Sequence, residues 1–138
     1  MGELHATDAS LRFFGDDLDP VELTASLGRE PTVGVRKGGV WKTSRGAEKV
    51  ARTGSRRLSV ARRQPGNLDE QCDEILAALT DVLSIWRNLT NRFQAELLWG
   101  LCMREGNEGV ELSPDTLKDL GERGLSLDLD IYGPEISD

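Results

Sequence analysis

The nine residues Ala95 to Met103, AELLWGLCM, are apolar on both sides of a two-residue period. Ala95, Leu97, Trp99, Leu101 and Met103 fall on one side, Leu98 and Cys102 on the other. The run is far shorter than the roughly 18 residues needed to cross a membrane. A strand apolar on both faces belongs in the interior of a sheet, with neighbours on both edges. Strands are therefore expected elsewhere. Asp8 to Gly15 has β-prone residues and ends in glycine, and Leu125 to Tyr132 alternates throughout, with Leu125, Leu127, Leu129 and Ile131 inward and Ser126, Asp128, Asp130 and Tyr132 outward. Thr32 to Val35, Val40 to Thr43 and Leu58 to Ala61 are shorter pieces, and GNEG (Gly106 to Gly109) reads as a hairpin turn into VELS.

Helix signals fill the spaces between. In Leu18-Asp19-Pro20-Val21-Glu22-Leu23, Asp19 caps, Pro20 suits the first helical position, Leu18 can staple to Leu23, and Gly28 suits the end. Val21, Leu23 and Leu27 are then expected to face the core. Leu112 to Gly124 repeats the device with Ser113, Pro114, a staple at Leu117, then Leu120 and a terminal glycine. Between the two, Asn67 and Glu70 form a capping pair. Leu68, Cys72, Ile75, Leu76, Leu79, Val82, Leu83, Trp86 and Leu89 follow at helical spacing, which predicts one long helix from Leu68 to about Thr90. The expected fold is a single α+β domain over 1–138, with an antiparallel or mixed sheet of five to six strands, the long helix on one face and two short Pro-initiated helices. Residues 1–7 and a basic loop at 44–55 are expected to be mobile, and 134–138 to form a tail.

Charge is unevenly distributed. Arg29 to Arg63 holds eleven Lys and Arg against two acids, +9, whereas the rest of the 138 residues carries −16. Arg52, Arg56, Arg57, Arg62 and Arg63 cluster around a glycine-rich stretch, and a hairpin there could present them to a protein partner or a second copy. Trp41 is the sole aromatic of the segment, too thin a stacking platform for nucleic acid, and the acidic remainder would repel the phosphate backbone. The N-terminus has neither a basic nor an apolar leader region, so the expected location is the cytoplasm, with no membrane contact.

The order of landmarks resembles a bacterial family, the domain of unknown function numbered 4279. LRFFGDDLDPVELTASLGREPT, the following RKGG, the helical stretch and LSPDTLKDLGERGLSLDLDIYG carry the resemblance over most of the chain. It implies a small α+β domain, similar in outline to proteins encoded beside toxin systems, and identifies no catalytic group. It also implies a Trp-x-Leu-Ser-like strand where this chain reads Arg56-Arg57-Leu58-Ser59, so an arginine stands in for a large apolar anchor.

His5 is the only histidine, which argues against Ser-His-Asp and Cys-His chemistry, and no phosphate-cradling Gly-x-x-x-x-Gly-Lys loop is present. Cys72 and Cys102 lack metal-knuckle spacing and read as packed thiols. Asp16, Asp17 and Asp19 could supply hard oxygen ligands, with Asp128 and Asp130 completing a shell, but turn and cap roles are the stronger account of the first three. Asp128 and Asp130 fit a solvated face, or one opposite Arg12. The expected function is a non-enzymatic binding module without cofactor, of the immunity or regulatory kind, contacting a basic protein partner. The rival is a metal-dependent or nucleotide-related enzyme using the Asp16 to Asp19 turn.

Overall fold

The computed structural model describes residues 2–134. In chain order its elements are β1 (Gly2–Glu3), β2 (Ala6–Gly15), α1 (Pro20–Leu27), β3 (Val33–Val35), β4 (Val40–Lys42), β5 (Glu48–Val50), β6 (Gly54–Arg63), α2 (Leu68–Ala77), α3 (Leu83–Arg92), β7 (Gln94–Cys102), β8 (Glu108–Gly109), α4 (Pro114–Arg123) and β9 (Ser126–Tyr132). Five strands form a mixed sheet in the order β3-β6-β2-β7-β9, with only β7 and β9 parallel. β1 pairs with β8, and β4 with β5 as a hairpin. The apolar run does form an interior strand, β7, flanked on both edges.

The expected long helix is corrected to two, α2 and α3, broken at 78–82. Thr80 explains the break. Its N–H donates to the Leu27 carbonyl at 2.9 Å, its carbonyl accepts the Trp86 indole N–H at 2.8 Å, and its hydroxyl accepts from the Val82 N–H at 3.3 Å. Backbone groups that a continuous helix would pair internally are committed to other elements, and a threonine readily supplies that local alternative. Val82, expected in the core stripe, is consequently exposed, while Ile75, Leu79, Trp86 and Leu89 are buried.

Both Pro-initiated helices form as expected. The Asp19 carboxylate accepts from the Val21 N–H at 3.0 Å and the Ser113 hydroxyl from the Thr116 N–H at 3.2 Å. Each helix ends on a left-handed glycine, Gly28 at φ 87° and Gly124 at φ 75°, a conformation that costs other residues. The assigned apolar faces need correction, however. Leu23 and Leu27, four residues apart, are buried, and Val21 lies off that stripe at 74% exposure. In α4 the buried stripe is Thr116, Leu120 and Arg123, which leaves Leu117 exposed.

VELS is not a strand. The Glu108 carboxylate accepts backbone N–H groups of His5, Arg104 and Glu105 and so ties the loop to the N-terminal segment, where Glu108–Gly109 pairs with β1. Leu4, Ala6 and Thr7, within the segment expected to be mobile, are buried. In the expected 44–55 loop, Glu48–Val50 is paired and Gly54 opens β6. Of the expected tail, 135–138 lie outside the described residues.

Strand alternation assigns the faces of the sheet. Ala9, Leu11 and Phe13 of β2 align with Trp99, Leu97 and Ala95 of β7 and face the helices, where the Phe13 and Trp86 rings stack at 6.3 Å. These buried side chains belong to one apolar cluster with those of α1 to α4. The opposite face, bearing Arg12, Phe14, Arg57, Ser59, Asp8, Asp128 and Asp130, carries no helix among the described residues.

Candidate binding face

The open face is polar in an ordered way, because register aligns like with like. One row runs across all five strands: Val33, Arg57, Arg12, Glu96 and Ser126. At its centre Arg12 and Glu96 form an ion pair, with the Glu96 side chain only 8% exposed and the Arg12 guanidinium lying 5.2 Å over the Phe14 ring. Toward the β2 C-terminus the face is apolar and basic. Toward its N-terminus it is acidic, with Asp8, Gly100 and Asp130 aligned and Asp128 beside Leu98.

At the basic end the β4–β5 hairpin and the segment after it form the wall of an open groove of about 580 Å³. Phe14, Val33, Val35 and Trp41 supply its apolar surface, and Lys49, Arg52 and Arg57 its charge; no acid lines it. Trp41 and Lys49 are directly paired across the hairpin, which holds both on one side. The hairpin is tied at its base, where the Ala51 N–H donates to the Gly39 carbonyl and the Gly38 N–H to the Ala51 carbonyl, each at 2.8 Å.

The five arginines expected to act together do not share a surface. In a strand successive side chains point to opposite faces, so Arg57 lies on the open face and Arg56 on the helix face. A bulge then sets Ala61 and Arg62 opposite Asp8. It puts Arg62 on the open face, donating to Asp8 at 2.7 Å, and sends Arg63 back to Glu70 and Glu74 of α2. The buried Gln71 side chain patches the bulge, donating to the Thr7 and Ala61 carbonyls and accepting from the Thr7 hydroxyl. Only Arg52 and Arg57 reach the groove, joined there by Lys49, which the charge count had not singled out.

The aspartates behave as turn and cap groups. Arg36 hydrogen-bonds Asp19 and holds its carboxyl below the usual range, while Thr53 and Lys37 do the same for Asp16; Asp17 is exposed. Asp130 aligns with Asp8, eight residues from Asp16 along β2, about 26 Å at the usual strand rise. The structure thus does not bring the two aspartate sets together, and among the described residues no group of three or more His, Cys, Asp or Glu could hold a metal ion. Asp128 aligns with Leu98 and not with Arg12, whose acidic partner is Glu96. Asp130 accepts the Tyr132 hydroxyl at 2.8 Å, which raises the phenol's pKa.

The sequence profile of the family described as Domain of unknown function (DUF4279) matches residues 4–134. The chain belongs to that family. No curated protein and no solved structure matches it. In this DUF4279 chain the position where a large apolar anchor was expected is occupied by Arg56, on the helix face and 1% exposed. One guanidinium nitrogen donates to the Arg29 carbonyl, whereas Nε and Nη1 are buried without a partner. Among the described residues of this DUF4279 chain no helix is long and apolar enough to cross a membrane.

Proposed function

We propose that this DUF4279 chain is a non-enzymatic protein-binding module of the immunity or regulatory kind, acting in the cytoplasm, whose β9 edge receives a strand from a basic partner. The observation that carries this reading is the outer edge of β9. It ends the sheet, its residues 128–132 are all exposed, and among the described residues no other strand pairs with it. Its alternation sets Leu129 and Ile131 toward the helix side, 50% and 58% exposed, and Asp128 and Asp130 toward the open face. An added strand gains main-chain hydrogen bonds from such an edge, and its alternate side chains read the two faces. The complementary strand is apolar on one side and Lys- or Arg-bearing on the other. A second copy is a poorer match, because antiparallel pairing centred on Leu129 would set Asp128 against Asp130 of the other copy, and like charges directly opposite destabilise a sheet.

The test uses a synthetic peptide alternating valine with lysine, and the same peptide with glutamate for lysine. The lysine peptide is expected to shift the amide resonances of Ser126 to Tyr132 and slow their hydrogen exchange. The Asp128→Lys/Asp130→Lys variant should weaken that binding at least about tenfold, the loss of about 1.4 kcal/mol. Equal binding of the two peptides, or shifts confined to other elements, overturns the assignment. The rival enzyme reading draws no support from the Asp16 to Asp19 turn, where Lys37 and Arg36 already neutralise two of the three carboxylates.

A further inference from the structure

The groove under the β4–β5 hairpin lies at the opposite end of the open face from Asp128 and Asp130, and it has a chemistry of its own. Its lining combines two half-buried aromatic rings, Phe14 and Trp41, with the branched side chains of Val33 and Val35. Around them stand Lys49, Arg52 and Arg57, all exposed, and none of the three has an acidic partner within 4.0 Å among the described residues. Elsewhere on the five-stranded sheet Arg12 is matched by Glu96, Arg62 by Asp8 and Arg63 by Glu70 and Glu74, while Arg56 is buried in the core. Arg29, Lys42, Arg45, Arg87 and Arg104 are also exposed without an acid within 4.0 Å among the described residues, but Lys49, Arg52 and Arg57 converge on one apolar, acid-free groove, and in a chain of net charge −7 that convergence calls for an anion.

We propose that this groove is a binding site for a small anion with a flat aromatic body, its ring against Trp41 and Phe14 and its carboxylate or phosphate held by Arg57, Arg52 and Lys49. The volume of about 580 Å³ lies in the usual range for small-molecule sites, which are mostly apolar with a few fixed polar groups. Arginine supplies planar paired donors to such anions, and an aromatic face attracts a flat ring. A small recess of about 30 Å³ is lined by Arg12, Arg56 and four residues of the groove, Phe14, Val33, Ser55 and Arg57. An extended nucleic acid fits less well. One ring-bearing groove offers room for one base, and the chain outside 29–63 carries −16.

The proposal is tested by titrating the full chain at about 0.15 M salt, where exposed charges are screened beyond about 8 Å. The probes are adenosine 5′-monophosphate, 1-naphthoate, adenosine and inorganic phosphate, followed by Trp41 fluorescence and amide resonances. At least one aromatic anion is expected to bind with Kd below about 1 mM, shifting Val33 to Val35 and Lys49 to Arg57. Adenosine and inorganic phosphate should each bind at least about tenfold more weakly than the aromatic anion, because each offers half of the match. A preference for 1-naphthoate assigns the carboxylate source, and one for the monophosphate the phosphate source. Arg57→Gln and Arg52→Gln should each weaken binding at least about tenfold with the melting temperature unchanged, and Trp41→Ala should weaken it as well. Absence of saturable binding by both aromatic anions, equal binding of inorganic phosphate, or indifference to both arginine variants overturns the proposal. None of these outcomes depends on the β9 edge, whose variants leave the groove intact.

Discussion

Arg56 is the least satisfied side chain of the core. Its guanidinium is buried with two nitrogens unpartnered, and burial pushes its pKa down, partly offset by Glu30. Replacing a poorly paired buried charge with an apolar side chain of similar length is neutral to stabilising. Arg56→Met should therefore raise the stability of unfolding by about 1 kcal/mol or more in urea titrations, and a clear loss would mean that the guanidinium is better satisfied than its contacts imply. Cys72 gives a pH-dependent counterpart. Burial is the main cause that pushes its thiol up from 9.0 to about 12. The folded state thus favours the protonated form, so this stability is fully present below pH 9 and is lost as pH rises toward about 12. Thermal melts should show the wild type losing more stability than Cys72→Ala between pH 9 and 12, while an equal loss would assign alkaline unfolding to other groups.

At the scale of elements, the division of one apolar repeat into α2 and α3 gives neighbouring residues opposite fates. Leu79 closes the end of α2 at 8% exposure, whereas Val82, three residues on, is 48% exposed. Leu79→Ala should cost roughly 2 to 5 kcal/mol, the range for buried leucines. Val82→Ala should stay within about 0.5 kcal/mol, as surface substitutions do. Comparable losses from the two changes in denaturant titrations would restore the single continuous helix. The break had a faint signal in the sequence, two cap-forming residues, Thr80 and Asp81, inside an otherwise helical pattern. What decided it was the tertiary use of Thr80, whose backbone serves Leu27 and Trp86. A further tie joins α2 to α4: Asp69, at the start of α2, accepts from the Ser113 N–H and from the Thr116 hydroxyl at 2.7 Å.

At the scale of the molecule, the helices take one face of the sheet and leave the other to solvent. The charge asymmetry of the sequence is there resolved into positions. The −16 outside the basic segment includes Asp8, Asp128 and Asp130 at one end of the open face, and the +9 inside it includes the three groove cations at the other. Of the other eight cations of the basic segment, five are spent differently, Arg36 and Lys37 on the Asp16 to Asp19 turn, Arg62 and Arg63 on local acids and Arg56 in the core, while Arg29, Lys42 and Arg45 are exposed without an acid within 4.0 Å among the described residues. A basic segment by composition is thus divided among free surface cations, local ion pairs and the core.

Local chemistry was legible in the sequence wherever it acts over a few residues. Asp19-Pro20 and Ser113-Pro114 start helices, Gly28 and Gly124 end them, and AELLWGLCM becomes an interior strand, because caps, left-handed turns and two-residue alternation are settled by neighbours along the chain. Whatever depended on pairing was decided only by the tertiary structure. Leu129 and Ile131 alternate as core residues do, but on the edge strand β9 both stay exposed, while Leu127 of the same strand packs against the core. The bulge at Ala61 and Arg62, which the sequence does not mark, reversed the faces of Arg62 and Arg63. The groove combines β2, β3, β6 and the β4–β5 hairpin, segments as far apart as Phe14 and Arg57, and no periodicity within one segment can register a match made across four.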